Sequence, residues 1–346
     1  MLIVFLASLT ATSLATLQQI AIRRSTVLQH QQQARLYTLG VEQWATLILI
    51  RDQQASKTDH LHEEWANLAL ALPVEGGILS GKMRDLQGCF NLNNLWRSAT
   101  GSPTNSADPP ERPPKDDEAP EQDHADPASE QPSTSEPPMP KDADSSQFGK
   151  RGLDKVQLQM LQRLLTLLEL KPGLAQAMAD WIDPDQDPLF PDGAEDSDYT
   201  VLNPPYLAAN QPFSSVSELR LIKGVDRETY DKLAPLVCAL PPGTALNVNT
   251  APTLVLAALG EGMDPVDLER LREDQPATGY ENVEAFLNAA KITLNAELKA
   301  LLGVDSQYFL LRADAQVGDG HAVLYSILLR DEHGVRILRR SFGHQD

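Results

Sequence analysis

Hydrophobic and polar positions change rhythm four times along the chain. From Met1 to Ile22 (MLIVFLASLTATSLATLQQIAI) no residue is charged, and Arg23 and Arg24 close the run. At 1.5 Å per residue, a helix of this length covers about 30 Å of hydrocarbon. No positive charge precedes the run and no sharp small-residue cleavage site follows it, as a cleaved secretory signal would require. Beyond it Leu28, Ala34, Leu36, Leu39, Trp44, Leu47 and Ile48 recur at helical spacing without a proline. The pattern predicts one long helix from Met1 to about Ile50, apolar all round at first and then amphipathic. A transmembrane helix followed by a separate helix is the alternative.

Pro73 and Gly76-Gly77 mark a turn, and Ile78–Asp85 (ILSGKMRD) alternates weakly, like a strand. The Asn-rich stretch Gln87–Leu95 (QGCFNLNNL) suits tight loop geometry. Helical rhythm returns at about Leu153. Leu158, Leu161, Leu164, Leu165 and Leu168 form a stripe that ends at Pro172-Gly173. Leu174–Ile182 reads as a second helix, and Asp183–Asp198 as an acidic, turn-rich loop. Further helices are expected at Ser215–Leu221, Glu228–Leu240, Thr253–Leu259, Pro265–Leu271, Val283–Ala289 and Glu297–Leu301.

Near the end the period changes to two. Tyr308–Val317, Ala322–Arg330 and Val335–Phe342 read as strands, with Gly318-Asp319-Gly320 and Asp331–Gly334 at hairpin positions. Together with Ile78–Asp85 they make one antiparallel sheet. Its first strand precedes the helical part and the rest follow it. The fold class is therefore α+β: a long N-terminal helix packed on an antiparallel sheet, with a large all-helical domain inserted between strands. The boundaries are 1–24 for the membrane part of the helix, 25–99 with 304–346 for the α+β domain, 100–150 for a linker and 151–303 for the insert.

Composition sharpens this. The chain has 29 Lys+Arg against 48 Asp+Glu, a net charge of −19. Thr104–Gln147 holds twelve acids and three bases, so about half of the net charge falls there. Thr100–Gln147 is rich in Pro, Ser, Asp and Glu and too poor in large apolar residues to offset its ordering entropy. It reads as a disordered acidic loop. Such acidity excludes a general nucleic-acid binder, because phosphate affinity needs clustered cations. Two cysteines are too few for a disulfide scaffold or a four-cysteine zinc site. No histidine pairs with Cys or Asp at ligand spacing, and no phosphate loop or nucleophile elbow occurs. His60 and His62, beside Glu63 and Glu64, read as a surface patch. No enzyme activity is expected.

The acidic loop is the best candidate site. Asp183, Asp185 and Asp187 stand two apart, and Glu195, Asp196 and Asp198 follow the turn at Pro191–Gly193. These six carboxylates, set in so short a span, repel one another unless a hard cation neutralises them. Calcium takes six to eight oxygens in flexible geometry, which suits an irregular loop. The spacing is not that of an EF-hand, and a solvated acidic turn is the plainer alternative.

Four stretches together carry a family resemblance: Gln87–Leu95 (QGCFNLNNL), Asp180–Tyr199 (DWIDPDQDPLFPDGAEDSDY), Pro212–Gly224 (PFSSVSELRLIKG) and Leu246–Ala251 (LNVNTA). Their order and spacing resemble the K-type minor pseudopilins of bacterial type II secretion systems. The likeness covers essentially the whole chain outside the acidic loop. It implies the pseudopilin fold, a single pass through the inner membrane of a Gram-negative bacterium, and a periplasmic bulk. It also implies a place at the tip of a short pseudopilus, with the I and J minor pseudopilins as partners above a shaft of the major subunit. The secretin channel and secreted cargo are further implied contacts. The family's K subunits lack an acid near the mature N-terminus, and here the first acid is Glu42. Family members carry a basic leader and a Gly before the apolar segment, and the sequence opens at Met1 already inside that run, so a late start or an omitted leader is expected.

The same resemblance implies calcium in the inserted domain, in line with Asp183, Asp185, Asp187, Glu195, Asp196 and Asp198. A periplasmic location permits a Cys89–Cys238 disulfide stapling the insert to the scaffold, with two buried thiols as the alternative. Leu36, Leu39, Trp44, Leu47 and Ile48 are the expected partner-binding positions of the long helix. Leu219–Leu233 (LRLIKGVDRETYDKL) resembles a helix-hairpin-helix, so a membrane-anchored DNA-handling protein is the alternative function. Its Lys223, Arg227 and Lys232 are outweighed by Glu218, Asp226, Glu228 and Asp231, which favours a packing role and no nucleic acid.

Overall fold

The computed structural model describes residues 2–68, 71–98, 151–260 and 262–343. The acidic stretch expected to be disordered lies outside them. Helix α1 runs from Leu2 to Ala55 as one piece. Among the described residues, no helix is long and apolar enough to cross a membrane; the side chains at 1, 4 and 6–8 lie outside the described ones. In its second half, α1 turns Ala34, Thr38, Val41, Glu42, Ala45, Ile48 and Leu49 inward, the three- and four-residue spacing of one helical face.

That face lies on a five-stranded antiparallel sheet. Its strands, in spatial order, are β1 (Leu72–Val74), β2 (Gly77–Asp85), β3 (Tyr308–Val317), β4 (Gly320–Asp331) and β5 (Gly334–Phe342). The pleat places Met83, Phe309, Leu311, Ala313, Leu324 and Leu328 against Val41, Ala45, Ile48 and Leu49. Gly81 lets the helix come close, since a Cβ there would stand 2.8 Å from Val41 Cγ1. One charge is buried in this contact. Glu42 is fully enclosed and receives Arg340 on both oxygens (2.6–3.0 Å) and Ser326 Oγ at 2.5 Å. Such a bidentate charge-assisted pair meets the lone pairs that burial would otherwise strand.

The chain leaves the sheet after Asp85 and returns at Tyr308, so the insert begins earlier than residue 100. Leu92 and Leu95 already belong to its core. That core is built around α2 (Lys155–Leu167) and α3 (Leu174–Asp180), with α4 (Asp196–Tyr199), α5 (Arg227–Leu233), α6 (Thr253–Ala257), α7 (Pro265–Glu273), α8 (Val283–Ala290) and α9 (Ala296–Lys299). Asp154, Asp226, Asp264, Asn282 and Asn295 cap five of these helices.

The insert is not purely helical. The helix expected over Glu228–Leu240 stops at Leu233, and Val237–Cys238 pairs in parallel with Phe90–Asn91. Pro235 accounts for the break, because it lacks the N–H that would continue the helix. Leu246–Asn247 likewise pairs with Leu302–Gly303. Trp96–Ser98 pairs with Arg151–Leu153.

The three asparagines of the QGCFNLNNL stretch are hydrogen-bond brackets for this insert. Asn91 donates to Pro241 O and accepts from Leu240 N. Asn93 donates to Phe213 O and Leu240 O and accepts from Phe213 N. Asn94 donates to Thr244 O and accepts from Gly243 N.

A second polar knot joins insert to scaffold. Asp85, at the end of β2, accepts from Gln87 N (2.7 Å), Thr250 Oγ1 (2.5 Å), Ser306 Oγ (2.6 Å) and Asn247 Nδ2 (3.2 Å). Asn247 Nδ2 also lies 3.1 Å from Asp59 O and 2.8 Å from Ser306 Oγ. Arg330 closes the knot by bridging Asp52 (2.7 Å) and Asp59 (2.5 Å), with its guanidinium over Phe309. His60, expected on the surface, is buried beside it, and the half-buried Glu63 accepts from Trp65 Nε1 at 2.6 Å.

Asn247→Ala should therefore cost about 2–4 kcal/mol, the range for stranding buried polar partners. Thermal denaturation of the variant against the parent checks it, and a shift within error would show that the knot is not needed.

Candidate metal centre and interaction surface

Three carboxylates converge inside the insert. Asp180 ends α3, Asp183 stands one turn later, and Glu195 precedes α4. One oxygen from each lies within 4.8 Å of the others, and all three residues are buried. Asp180 is the member that sequence reading missed. It accepts from Leu189 N (3.0 Å) and Ala194 N (2.8 Å), which folds the loop back over α3. Gly193 allows this, since a Cβ there would meet Asp180 Oδ2 at 2.2 Å.

The other acids of the loop are placed differently. Asp185 accepts from Asp187 N and lies near enough to act electrostatically on the cluster. Asp187 is exposed. Asp196 accepts from Gln186 Nε2 and Ala208 N, and Asp198 pairs with Lys223 Nζ at 2.7 Å. Of the six acids named from sequence, Asp183 and Glu195 thus enter the converging set, Asp185 flanks it, and Asp196 and Asp198 are engaged elsewhere.

The cluster is uncompensated. Asp183 Oδ1 and both carboxylate oxygens of Glu195 are buried without a partner in hydrogen-bond geometry. Burial, with neighbouring carboxylates adding to it, raises Asp183 to about 8, Glu195 to about 7 and Asp180 to about 6. Asp180 and Asp183 stand at the negative, C-terminal pole of α3, which adds no relief, whereas Glu195 is the N-cap of α4. Trp181 fixes the loop from below, edge-on to Tyr199 at 5.3 Å, and Tyr199 stacks on Tyr206 at 5.4 Å. The donor set is all oxygen, with no thiolate or imidazole, which fits a hard cation and not zinc.

On α1 the expected partner positions divide. Ile48 is buried in the contact with the sheet, and Leu39 packs against the same core. Leu36 and Leu47 are more than half exposed, and Trp44 is exposed as well. With Gly40 between them they form an outward stripe at four- and three-residue spacing. Cys89 and Cys238 are both buried and free; Cys238 Sγ stands 3.6 Å from Cys89 O, and the two pack in one apolar cluster. Cys238 lies on a short strand, not near the end of a helix. The expected hairpin is present, with Gly224 at φ +84° between the turn Val216–Leu221 and α5.

A long helix laid on an antiparallel sheet, with a helical domain inserted between the second and third strands, is the pseudopilin architecture enlarged. The profile described as type II secretion system (T2SS), protein K, matches residues 88–242 and 246–305. The chain is 31% identical to type II secretion system protein K of Pseudomonas aeruginosa, over 99% of this chain and 90% of that one. It is also 31% identical to the Aeromonas hydrophila protein of the same name, over 95% and 90%. In three dimensions it is similar to a chain of the crystal structure of the GspK-GspI-GspJ complex from the enterotoxigenic Escherichia coli type 2 secretion system. The TM-score is 0.66 at 28% identity, covering 93% of this chain and 99% of that one. The chain belongs to the type II secretion system protein K family and is a minor pseudopilin.

With no cation present, the carboxylate cluster makes stability depend on pH. Its folded-state values lie above the ordinary carboxylate range, so the folded state binds more protons than the unfolded one. That contribution is fully present below about pH 4, the unfolded range. It is lost as pH rises through the folded values, to about 8. In EDTA the melting temperature should fall between pH 5 and pH 8, and D183N should flatten the slope.

Proposed function

We propose that this protein caps the tip of a periplasmic pseudopilus together with the I and J minor pseudopilins, and thereby supports export of folded proteins. The observation that carries this is the outward stripe Leu36, Trp44 and Leu47 on a helix whose opposite face is already filled by its own sheet. Exposed leucines and a tryptophan in a row have no use in an isolated domain, and such residues anchor helix-to-helix contacts. The similar E. coli chain is in complex with GspI and GspJ, which supports the same partners here.

In this reading, Met1–Arg24 anchors the chain in the inner membrane by a single pass, and the rest faces the periplasm. The same helix later enters the shaft beside the major subunits. The insert, set at the end of the sheet, blocks further addition and faces the secretin and cargo. The role is structural and includes no catalysis.

Calcium belongs to the same proposal. Asp180, Asp183 and Glu195 would hold it, with Asp185 as the nearest further carboxylate. A bound divalent cation would supply the charge that the three acids lack and would fix the loop across α3 and α4. The orphaned oxygens of Asp183 and Glu195 support this fit.

The test uses the full chain in detergent with the I and J proteins of the same genome. Size exclusion should give one complex, and W44A should weaken it about tenfold or more without changing the melting temperature. Calcium at about a hundred times its dissociation constant should stabilise the chain by about 2.7 kcal/mol. D183N with E195Q should abolish that gain. Independent elution overturns the tip role, and a melt indifferent to calcium overturns the metal.

We also infer that Cys89 and Cys238 are oxidised to a disulfide in the periplasm. Their contact and burial support it, and the periplasm is an oxidising compartment. Intact mass of periplasmically expressed protein should be two hydrogens lower than after reduction, and equal masses would refute the bridge.

A further inference from the structure

The sheet has a second face, turned away from α1. There the register lines up Arg84, Leu310, Ile327 and Arg339 in one row across β2, β3, β4 and β5. The next row holds Lys82, Arg312, Tyr325 and Ser341. The insert covers only one end of this face, where Cys238 and Leu240 pack on Tyr308, Leu310 and Leu329.

Between the insert and the first row lies a cleft of about 340 Å³, a volume in the range of ligand sites. Arg84 and Arg339 stand on its sheet side beside Leu310 and Ile327, with Val216 and Tyr230 on the insert side. Among the described residues, no Asp or Glu lines it.

Two further features mark this face. Arg84 Nε is buried without a hydrogen-bond partner, although its Nη1 and Nη2 reach Pro235 O (3.5 Å) and Cys89 Sγ (3.1 Å). Lys82 and Arg312 are direct cross-strand neighbours of like charge, an arrangement that costs stability. Asp314, 3.4 Å from Arg312, is the acid beside them, and it also engages His321.

We propose that this cleft and the adjoining basic row bind an extended acidic segment of a partner protein. A Glu or Asp carboxylate of that segment pairs with Arg84 and Arg339, whose planar guanidinium groups suit it. A neighbouring apolar side chain enters between Leu310, Ile327 and Tyr230. Charge complementarity selects this occupant, since the cleft is cationic in a strongly anionic molecule and its walls are apolar. The proposal rests on neither the metal nor the stripe on α1.

The full chain in detergent is titrated into a labelled peptide alternating Glu with Leu and Phe, read by fluorescence anisotropy. Its Gln counterpart is measured in parallel. The acidic peptide should bind, weaken with salt, and lose about tenfold or more in R339Q, the loss of one charge-assisted bond. R84Q should lose at least as much. R339E should reverse the preference toward a peptide carrying Lys in place of Glu, a readout that misfolding cannot mimic. Equal binding of the Glu and Gln peptides, or no binding of either, overturns the proposal. So does binding of the acidic peptide only after residues 104–147 are replaced by a neutral Gly–Ser linker, because the occupant is then this chain's own acidic stretch.

Discussion

The burial of Asp85 is the constraint on which the arrangement of the molecule depends. A carboxylate taken out of water costs several kcal/mol unless donors replace its hydration. Burial pushes its pKa up, and four donors act against that push. Those donors are Gln87 N and the side chains of Thr250, Ser306 and Asn247. They come from the start of the insert, from its interior and from the return to the sheet. Asp85 is therefore satisfied only when all three segments have arrived together. The position of the insert on the scaffold is a condition of burying that charge, which makes insert and scaffold one body at this end. Arg330, held between Asp52 and Asp59 beneath the same knot, ties α1 and β4 into it.

Much of this was legible in the sequence, and the exceptions have physical causes. Helix α1 and strands β2 to β5 follow from hydrophobic period alone, because each is long and one-sided. Glu228–Leu240 reads as one helix by pattern, yet Pro235 ends it and the residues beyond pair with Phe90–Asn91 across about 150 positions. No local signal encodes such pairing. His60 and Glu63 look like a solvated patch because their neighbours in sequence are polar; His60 is enclosed by remote residues, with Gly279 against its ring. Ile48 and Leu39 were grouped with Leu36 and Leu47, although a shift of one residue on a helix is a rotation of 100°. In the acidic loop, spacing alone could not separate Asp183 from Asp187. Asp180 was hidden because it closes the apolar helix α3 and reads as its polar edge.

Among the described residues two sides of the fold are left uncovered, and they do not compete. The outward stripe of α1 and the basic face of the sheet lie on opposite sides of the scaffold, with the insert at one end. A helix can pack along the first while an extended segment meets the second. The chemistry of the two also differs. The first is apolar and takes other helices, while the second is cationic and takes acid, in a molecule whose net charge of −19 repels acid elsewhere.

The carboxylate cluster poses a problem that protons alone do not solve. Protonating Asp183 and Glu195 removes the repulsion but gives each acid an O–H that needs an acceptor. Asp183 Oδ1 and both Glu195 oxygens are without partners, so a shared proton would satisfy some of these oxygens and leave others stranded. Neutralisation by Lys or Arg is barred by geometry, because the nearby Lys223 is committed to Asp198 at 2.7 Å. The hard cation proposed above would remove charge and fill the empty lone pairs in the same step. The aromatic stack of Trp181, Tyr199 and Tyr206 then explains why the acids cannot escape by swinging into water. The loop's backbone is pinned to the insert's core on one side, and Asp180 binds it on the other.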